Sequence, residues 1–341
     1  MKNVFVSHPR HLLQQYYGDK AIVALQSVAS VTFNCECREL TIKELSAAAC
    51  DSDIIVAYRQ TPAPESLFSA LPKLSAFVRC AVDIRTIDVD SASRHGVLVT
   101  HASAGFIPAV SEWVLGCMID MARNISTYAE SYRRGEPPAS VMGRELRGAT
   151  AGIIGYGQIS RYLCDLLVAL GMRVLIADPH AYIEHPSRQQ VPLTELLGNA
   201  DFVICLAALN TETENLLDRK AFASMKQGAW FINAARGELA DEVALLDALD
   251  SGRLAGCALD VGLAPDQMPS PIVARHPRVI ATPHVGGLTS AGIEHQALET
   301  VEQVKAILLG QIPIGAVNAT HATRMNTFRQ QIAHRTTTTA I

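Results

Sequence analysis

Short, continuously apolar runs alternate with helical stretches along most of this chain, and no other feature restricts its fold more. Apolar runs without polar alternation predict strands that are buried on both faces, as in parallel sheets. The stretches between them, such as Gln158–Leu170 and Asp241–Ser251, are long enough for the helices that connect parallel strands. We therefore predict an α/β protein with doubly wound parallel sheets.

The apolar runs form two series, which predicts two domains. The first series comprises Val4–Ser7, Val31–Asn34, Ile54–Tyr58, Phe77–Val82 and Val97–Thr100. The second comprises Gly152–Gly155, Val174–Ala177, Phe202–Leu206, Trp230–Asn233, Gly256–Asp260 and Val279–Thr282. Between the two series lie a strong helix, Ser111–Arg123, and a more polar stretch, Tyr128–Arg147, which we interpret as an exposed arm.

A further helix, Ser290–Leu309, follows the second series and is expected to return to the first domain. We predict a discontinuous domain of residues 1–100 plus 290–318 and a second domain of residues 101–289. Residues 319–341 contain no acid and end in a polar run, so we expect a flexible C-terminal tail.

The charge balance excludes some classes of function. Lys plus Arg total 29 against 33 Asp plus Glu, a net charge of −4, which argues against general affinity for nucleic acid. No apolar run reaches the ~18 residues of a membrane span. The N-terminus is polar again by Ser7, too early for a signal peptide, so a cytoplasmic protein is expected. The eight cysteines form no C-x-x-C pair, and we predict buried reduced thiols and no metal site.

The segment from Gly152 to Asp178 predicts a dinucleotide site. It contains a strand, a glycine turn, a helix, a second strand and an acid. Gly155 permits the tight turn, and Gly157 permits close approach of a pyrophosphate to the backbone. The amides of Gln158 and Ile159 would meet the phosphates at the positive end of the helix dipole. Asp178, 23 residues after Gly155, suits the ribose hydroxyls.

One position departs from the glycine fingerprint, and one indicates which cofactor binds. Ser160 stands at the third glycine, where we expect a slight displacement of the helix because serine is small. The carboxylate of Asp178 would repel a 2′-phosphate, and neither Pro179 nor His180 neutralises it. The sequence therefore favours NAD over NADP.

Three later segments place chemical groups just after predicted strands. These segments are Ile232–Leu239, Ala258–Val261 and Ala281–Gly287. Ligands of open α/β sheets bind at the carboxyl ends of the strands, so Arg236, Asp260 and His284 are expected in one crevice. An arginine offers a planar fork for a carboxylate, and an imidazole titrates near neutral pH and serves as general acid or base.

The strings N-A-A-R-G at Asn233–Gly237 and T-P-H-V-G-G at Thr282–Gly287, with the glycine turn, resemble the family of D-isomer-specific 2-hydroxyacid dehydrogenases. The resemblance is to members that act on phosphoglycerate, glyoxylate or hydroxypyruvate. It implies a flavodoxin-like substrate domain, a Rossmann NAD-binding domain and a homodimer. It also implies hydride transfer between nicotinamide and C2 of a D-2-hydroxyacid or 2-ketoacid. Arg236 would bind the substrate carboxylate, and His284 would be the general acid and base.

The resemblance further implies a set of cofactor-binding positions, with Asp260 at the carboxamide end of the cofactor. These positions are Gly155, Tyr156, Gly157, Gln158, Ile159, Asp178, Ala234, Ala235, Asp260, Gly286 and Gly287.

The sequence departs from the family at the partner of the histidine. Most members carry a glutamate five residues after the aspartate of the third motif, where this chain has Pro265. Asp266 is the nearest acid. Either its carboxylate serves as the partner of His284, or it is a turn residue after proline.

The substrate loop departs too. Ala81, Val82 and Asp83 replace a glycine-rich turn whose amides hold the substrate carboxylate in the family. Asp83 would repel an anionic substrate unless it points away or pairs with Arg85 or Arg59. Arg59, directly after a predicted strand, either recognises a second acidic group of the substrate or is an exposed arginine without a ligand.

Three functions remain open from the sequence. The first is an NAD-dependent 2-hydroxyacid dehydrogenase or 2-ketoacid reductase. The second is an NAD(H)-binding regulatory protein of the same fold with weak or no turnover. The third is a formate-type dehydrogenase, which would share Arg236 and His284 but whose substrate has no hydroxyl to deprotonate.

Overall fold

A computed structural model describes residues 2–326 and residue 328 of the chain. The chain forms two units, which we call the first unit (Met1–Gly105 with Ser290–Ile341) and the second unit (Phe106–Thr289). The division falls shortly after the predicted boundary at residue 100, and the first unit contains both ends of the chain.

The first unit contains a parallel sheet of five strands in the order β2-β1-β3-β4-β5. Its strands are β1 (Asn3–Val6), β2 (Ser30–Phe33), β3 (Ile54–Ala57), β4 (Ala76–Arg79) and β5 (Leu98–His101). The helices of this unit that precede the second unit in the chain are α1 (Leu13–Tyr16), α2 (Asp19–Gln26), α3 (Ile42–Ala48), α4 (Glu65–Ala70) and α5 (Val89–Arg94). Every residue of β3 and β4 is buried, as their continuous apolar runs predict. The order is that of flavodoxin-like sheets.

The second unit contains a parallel sheet of seven strands in the order β12-β11-β10-β9-β6-β7-β8. Its strands are β6 (Thr150–Ile154), β7 (Arg173–Ala177), β8 (Arg188–Gln190), β9 (Phe202–Cys205), β10 (Ala229–Asn233), β11 (Leu254–Leu259) and β12 (Val279–Ala281). Its helices are α6 (Ile107–Arg123), α7 (Ile125–Arg133), α8 (Gln158–Ala169), α9 (Leu193–Asn199), α10 (Arg219–Ser224), α11 (Glu242–Asp250) and α12 (Pro271–Ala274). Counted from β6, this is the strand order of Rossmann sheets. The two sheets confirm the predicted doubly wound α/β class.

Strand β8 was not predicted. It is short and polar, and it lies at the edge of the sheet, where it pairs only with β7 among the described strands. Edge strands carry charged residues more often than central ones do, so such a strand lacks an apolar signature.

Helix α13 (Ser290–Leu308) returns the chain to the first unit. It buries Ala297, Val301, Val304 and Ile307 in the same apolar cluster as residues of β1, β3 and β4. The helix therefore covers one face of the five-stranded sheet.

The prediction of a flexible tail from residue 319 is wrong for residues 319–326. A 3-10 turn forms at Ala319–His321, and the Nη1 atom of Arg324 donates to the carbonyls of Leu71 and Leu74, both at 2.7 Å. Met325 is buried, and its burial together with the arginine contacts offsets the polar composition. Residues 327 and 329–341 of the predicted tail lie outside the described residues.

The arm predicted over Tyr128–Arg147 contains most of α7 and an irregular stretch. Helix α7 buries none of its residues. Arg144 and Lys226 both pair with the buried carboxylate of Asp201, which fixes the end of the arm to the second unit.

Candidate active site

The turn after β6 has the shape that a dinucleotide site requires. Gly155 has φ of +88°, and a Cβ there would lie 2.6 Å from the Cα of Ala207, so only glycine fits. A Cβ on Gly157 would meet no described atom within 4 Å. Helix α8 starts at Gln158 with no acid in its first turn and no side-chain cap, so its first N–H groups are available to an anion.

Ser160 fits in place of the third glycine. Its side chain is buried, and its hydroxyl donates to the carbonyl of Gly155 at 2.7 Å. Serine therefore satisfies its polar atom within the turn that it follows.

Asp178, directly after β7, organises the same turn. Its carboxylate accepts from the backbone N–H of Tyr156 at 2.7 Å and of His180 at 2.8 Å. A carboxylate has acceptor capacity beyond these two bonds, so it remains able to bind ribose hydroxyls.

Arg188 on β8 is a residue that the sequence analysis missed. Its Nη1 donates to the phenolic oxygen of Tyr156 at 2.6 Å, and its Nη2 pairs with Asp165. The guanidinium of Arg161 lies 4.9 Å from the Tyr156 ring centroid. The side chain of Tyr156, in the glycine turn, is thus anchored to β8, the edge strand that the sequence did not predict.

The loop after β10 presents Arg236. The amide side chain of Asn233 accepts from the N–H of Ala235 at 3.1 Å and donates to the carbonyl of Arg236 at 2.9 Å. A Cβ on Gly237 would lie 2.3 Å from the carbonyl carbon of Gly262, so this loop packs directly against the loop after β11. Arg236 itself is half-buried, and its Nη1 donates to the carbonyl of Ala235 at 2.7 Å.

The buried carboxylate of Asp260 gathers the loop that carries His284. It accepts from the hydroxyl of Thr282 at 2.6 Å and from the N–H groups of Val285 at 2.8 Å and Gly286 at 2.7 Å. A Cβ on Gly286 would lie 2.8 Å from Asp260 Oδ2, so glycine is required there. Asp260 thus holds the histidine loop, and the contact with the cofactor that the resemblance implies stays a prediction.

His284 is held in an unusual backbone conformation, with φ of +54°. Its Nδ1 lies 2.9 Å from the carbonyl oxygen of Asp266. A carbonyl only accepts, so we assign the hydrogen to Nδ1, which leaves Nε2 with its lone pair. Asp266 and Gln267 also have positive φ, 58° each. Strained residues of this kind concentrate at functional sites.

Asp266 therefore reaches His284 through its main chain. The sequence had offered its carboxylate as the partner, or a turn residue. The structure shows a residue of the 3-10 turn Pro265–Gln267 whose carbonyl contacts the ring.

The second unit thus brings the predicted cofactor positions, Arg236 and His284 to the carboxyl ends of the strands of one sheet. Those positions follow β6, β7, β10, β11 and β12. The predicted substrate residues belong to the first unit: Arg59 follows β3, and Ala81, Val82 and Asp83 follow β4. The guanidinium of Arg59 lies 5.2 Å from the ring centroid of Tyr16.

Asp83 pairs with Arg85, one of the partners that the sequence left open. Nη2 and Nε of Arg85 donate to Oδ2 of Asp83 at 2.8 and 3.0 Å. The repulsion expected between Asp83 and an anionic substrate is thereby reduced.

Across residues 2–326 and 328, no helix is long and apolar enough to cross a membrane, and no group of three or more His, Cys, Asp or Glu residues is placed to hold a metal. Five of the eight cysteines are buried, whereas Cys35, Cys37 and Cys50 are exposed.

Residues 115–286 match the model of a known domain, described as the NAD-binding domain of D-isomer specific 2-hydroxyacid dehydrogenases. A D-3-phosphoglycerate dehydrogenase of Methanocaldococcus jannaschii is 31% identical over 93% of this chain, which spans 60% of that relative's length. An (S)-sulfolactate dehydrogenase of Chromohalobacter salexigens is 32% identical over 87% of this chain and 97% of its own length. A solved protein of Thermus thermophilus is 28% identical with a TM-score of 0.82, covering 92% of this chain and 99% of its own.

Proposed function

Because this chain belongs to the D-isomer specific 2-hydroxyacid dehydrogenase family, we propose that it is an NAD-dependent oxidoreductase. Its reaction would move a hydride between nicotinamide and C2 of a D-2-hydroxyacid or 2-ketoacid. The observation that carries the proposal is the placement of the glycine turn, Arg236 and His284 at the carboxyl ends of the strands of one sheet.

The residues of the second unit fit NAD. The open space at Gly157 and the free start of α8 suit a pyrophosphate, and Asp178 suits an unphosphorylated ribose. The proposed binding positions are those listed from the sequence, from Gly155 to Gly287. When bound, NAD supplies the hydride acceptor or donor.

His284 would transfer the proton that accompanies the hydride. Its Nδ1 hydrogen is committed to the carbonyl of Asp266, so Nε2 is the atom that donates to the ketone oxygen or accepts from the hydroxyl. Asp260 accepts from the hydroxyl of Thr282 before the ring and from the backbone N–H of Val285 after it. Arg236 would bind the substrate carboxylate through its planar fork.

The substrate class proposed is a small 2-ketoacid with a second anionic group. The relatives are named for phosphoglycerate and sulfolactate, which carry a phosphate or sulfonate beside the carboxylate. Arg59, partly exposed after β3, is the candidate for this second group, and the loop at Ala81, Val82 and Asp83 is the candidate for further contacts. A cytoplasmic location belongs to the same proposal.

A homodimer through the arm is also proposed. Ile125, Tyr132, Val141 and Met142 of the arm and its approach are exposed and apolar, which suits an interface between subunits. Trp113, Leu115 and Met118 of α6 pack into the core of the second unit instead. Light scattering that gives the mass of a single chain would reject the dimer.

The enzyme proposal is tested by following NADH absorbance with glyoxylate, pyruvate, hydroxypyruvate and ketoacids that carry a phosphate or sulfonate. We expect turnover, which His284→Ala abolishes while NADH affinity stays within about twofold. His185→Ala, at an exposed histidine of the same unit, is the control. If NADH binds and no ketoacid reacts, the regulatory function replaces the enzyme.

A further inference from the structure

Arg79, the last residue of β4, is completely buried although it carries a charge. Burial lowers its pKa to about 10, and the nearby Asp83 opposes that shift, so the guanidinium remains charged at neutral pH. Burying a cation costs several kcal/mol unless other groups compensate it. A charge at such a place therefore calls for a structural or functional reason.

The guanidinium joins two loops at the carboxyl end of the sheet of the first unit. Its Nη1 donates to the carbonyl of Tyr58. Its Nη2 donates to the carbonyl of Thr61 at 2.7 Å and to the hydroxyl oxygen of Thr86 at 2.9 Å. Tyr58 and Thr61 flank Arg59, and Thr86 ends the loop that starts at Ala81.

All three acceptors are neutral oxygens. Over the part of the chain that the structure describes, no carboxylate lies within ion-pair distance of Arg79. Asp83, which acts on Arg79 at longer range, has its carboxylate bound by Arg85. Arg79 is therefore a buried cation whose hydrogen bonds serve the main chain and one hydroxyl.

The two buried titratable groups beside Arg79, His8 and Cys80, add no second charge at neutral pH. Burial, and next the charge of Arg79, lower the pKa of His8 to about 3. Burial raises the pKa of the Cys80 thiol to about 12. The edge of this sheet thus keeps one buried positive charge between the two loops.

We propose that Arg79 is the positioning residue of the substrate site. It fixes the loop of Arg59 and the loop of Ala81–Thr86 to each other, and its charge favours an anionic ligand beside them. This inference rests on the proposed function, because it assigns these loops to the substrate. Arg79 contacts the loops and not the reacting atoms, so it acts on substrate affinity and not on the chemical step.

Two variants change the hydrogen bonds of the guanidinium while a positive charge stays at this position. Arg79→Lys keeps the charge, but one ammonium group does not reach three divergent acceptors with the geometry of a planar fork. Thr86→Val removes a single acceptor at an exposed position and leaves the buried cation in place. Thr86→Val also keeps the proposal testable if the Arg79 variants do not fold. Arg38→Met, at an exposed arginine of the same unit, is the control.

Steady-state kinetics with the best ketoacid and hydrogen exchange of the apoprotein test the proposal together. For Arg79→Lys we expect KM for the ketoacid to rise about tenfold or more, with kcat and the NADH dissociation constant within about twofold. Thr86→Val should raise KM by about threefold. Exchange should accelerate at residues 58–61 and 81–86 in Arg79→Lys, but only at 81–86 in Thr86→Val.

An unchanged KM in folded Arg79→Lys overturns the inference, and so does exchange that accelerates uniformly over the first unit. Failure of the proposed function gives a different pattern. In that case the wild-type protein turns over no ketoacid although NADH binds, whatever the exchange data show.

Discussion

The two sheets of this protein hold their carboxyl-end loops with buried charges of opposite sign. In the second unit, the carboxylate of Asp260 gathers two N–H groups and a hydroxyl from the loop of His284. In the first unit, the guanidinium of Arg79 gathers two carbonyls and a hydroxyl from two loops. Asp260 accepts its hydrogen bonds, whereas Arg79 donates them.

The difference follows from what the loops present. The loop of His284 turns with positive φ and directs its N–H groups inward, whereas the loop after β3 directs carbonyls inward. A buried charge of the matching sign satisfies several such groups at once, since hydrogen bonds to charged groups are stronger than neutral ones. Each of these loops is thereby made rigid by one side chain.

Replacing the carboxylate of Asp260 should have the largest effect on activity. In Asp260→Asn, one oxygen is replaced by an NH2 group that faces an N–H donor, and the hydrogen bonds to the remaining oxygen lose the negative charge that strengthens them. We expect kcat/KM to fall by at least about 100-fold, measured by NADH oxidation, with thermal unfolding as a check on folding.

The matched control is Asp250→Asn, an exposed carboxylate near His276. Hydrogen exchange sharpens the comparison: Asp260→Asn should accelerate exchange at residues 282–286 and leave residues 58–61 unchanged. Activity within about threefold of wild type would remove Asp260 from this role.

The buried, neutral imidazole of His8, near Arg79, makes the first unit sensitive to acid. His8 has a folded pKa of about 3, below its unfolded value of 6.5, so the unfolded chain binds more protons between these values. Stability is therefore intact above pH 6.5 and falls as the pH drops toward 3. Between pH 7.5 and 4.5 this group should lower the free energy of unfolding by about 2–3 kcal/mol.

Urea unfolding followed by circular dichroism at the two pH values measures this loss. His8→Leu should remove the increment, whereas His11→Leu, at an exposed histidine of the same unit, should keep it. Equal acid sensitivity of His8→Leu and wild type would contradict the assignment. Circular dichroism is used because the two tryptophans of the chain, Trp113 and Trp230, lie in the second unit, so tryptophan fluorescence does not report on the first unit.

Asp178, a second carboxylate that accepts from backbone N–H groups, allows a finer test. Asp178→Ser removes the carboxylate that binds Tyr156 and His180 and that is proposed to bind ribose. We expect the NADH dissociation constant to rise about tenfold and the preference for NADH over NADPH to shrink. Fluorescence titrations with both cofactors measure this, and Asp247→Ser, at an exposed residue of α11, is the control. An unchanged preference would refute the role of Asp178 in cofactor choice.

The smallest effect is expected where no charge is involved. Ser160→Ala removes the hydroxyl that donates to Gly155 and should cost about 1 kcal/mol of stability. NADH affinity should stay within about threefold, because the turn keeps Asp178. A larger loss of affinity would show that this neutral bond, and not the carboxylate, holds the turn.

Local patterns predicted most of the fold and the position of the candidate cofactor residues at the carboxyl ends of the strands. The glycine turn, Arg236 and His284 each stand within a few residues of an apolar strand, so their place at the sheet edge followed from the strand itself. The strand β8 and the packed segment after residue 319 were missed because long-range contacts, and not their own composition, make them ordered.

Arg79 was missed for a related reason. A charged residue inside an apolar run is a visible signal, but its meaning depends on carbonyls that lie 18 and 21 residues earlier in the chain. The carbonyl contact of Asp266 to His284 was equally hidden, since it depends on the left-handed turn at Asp266 and Gln267. Sequence spacing indicates which side chains are near, and not whether the main chain or the side chain makes the contact.

The return of α13 to the first unit has a consequence for synthesis. A ribosome releases the five strands of the first unit before all of Phe106–Thr289, and only then the helix that covers one face of their sheet. The part of that face on which α13 packs stays uncovered while the second unit is synthesised. The nascent chain therefore exposes apolar surface to which chaperones can bind until α13 emerges.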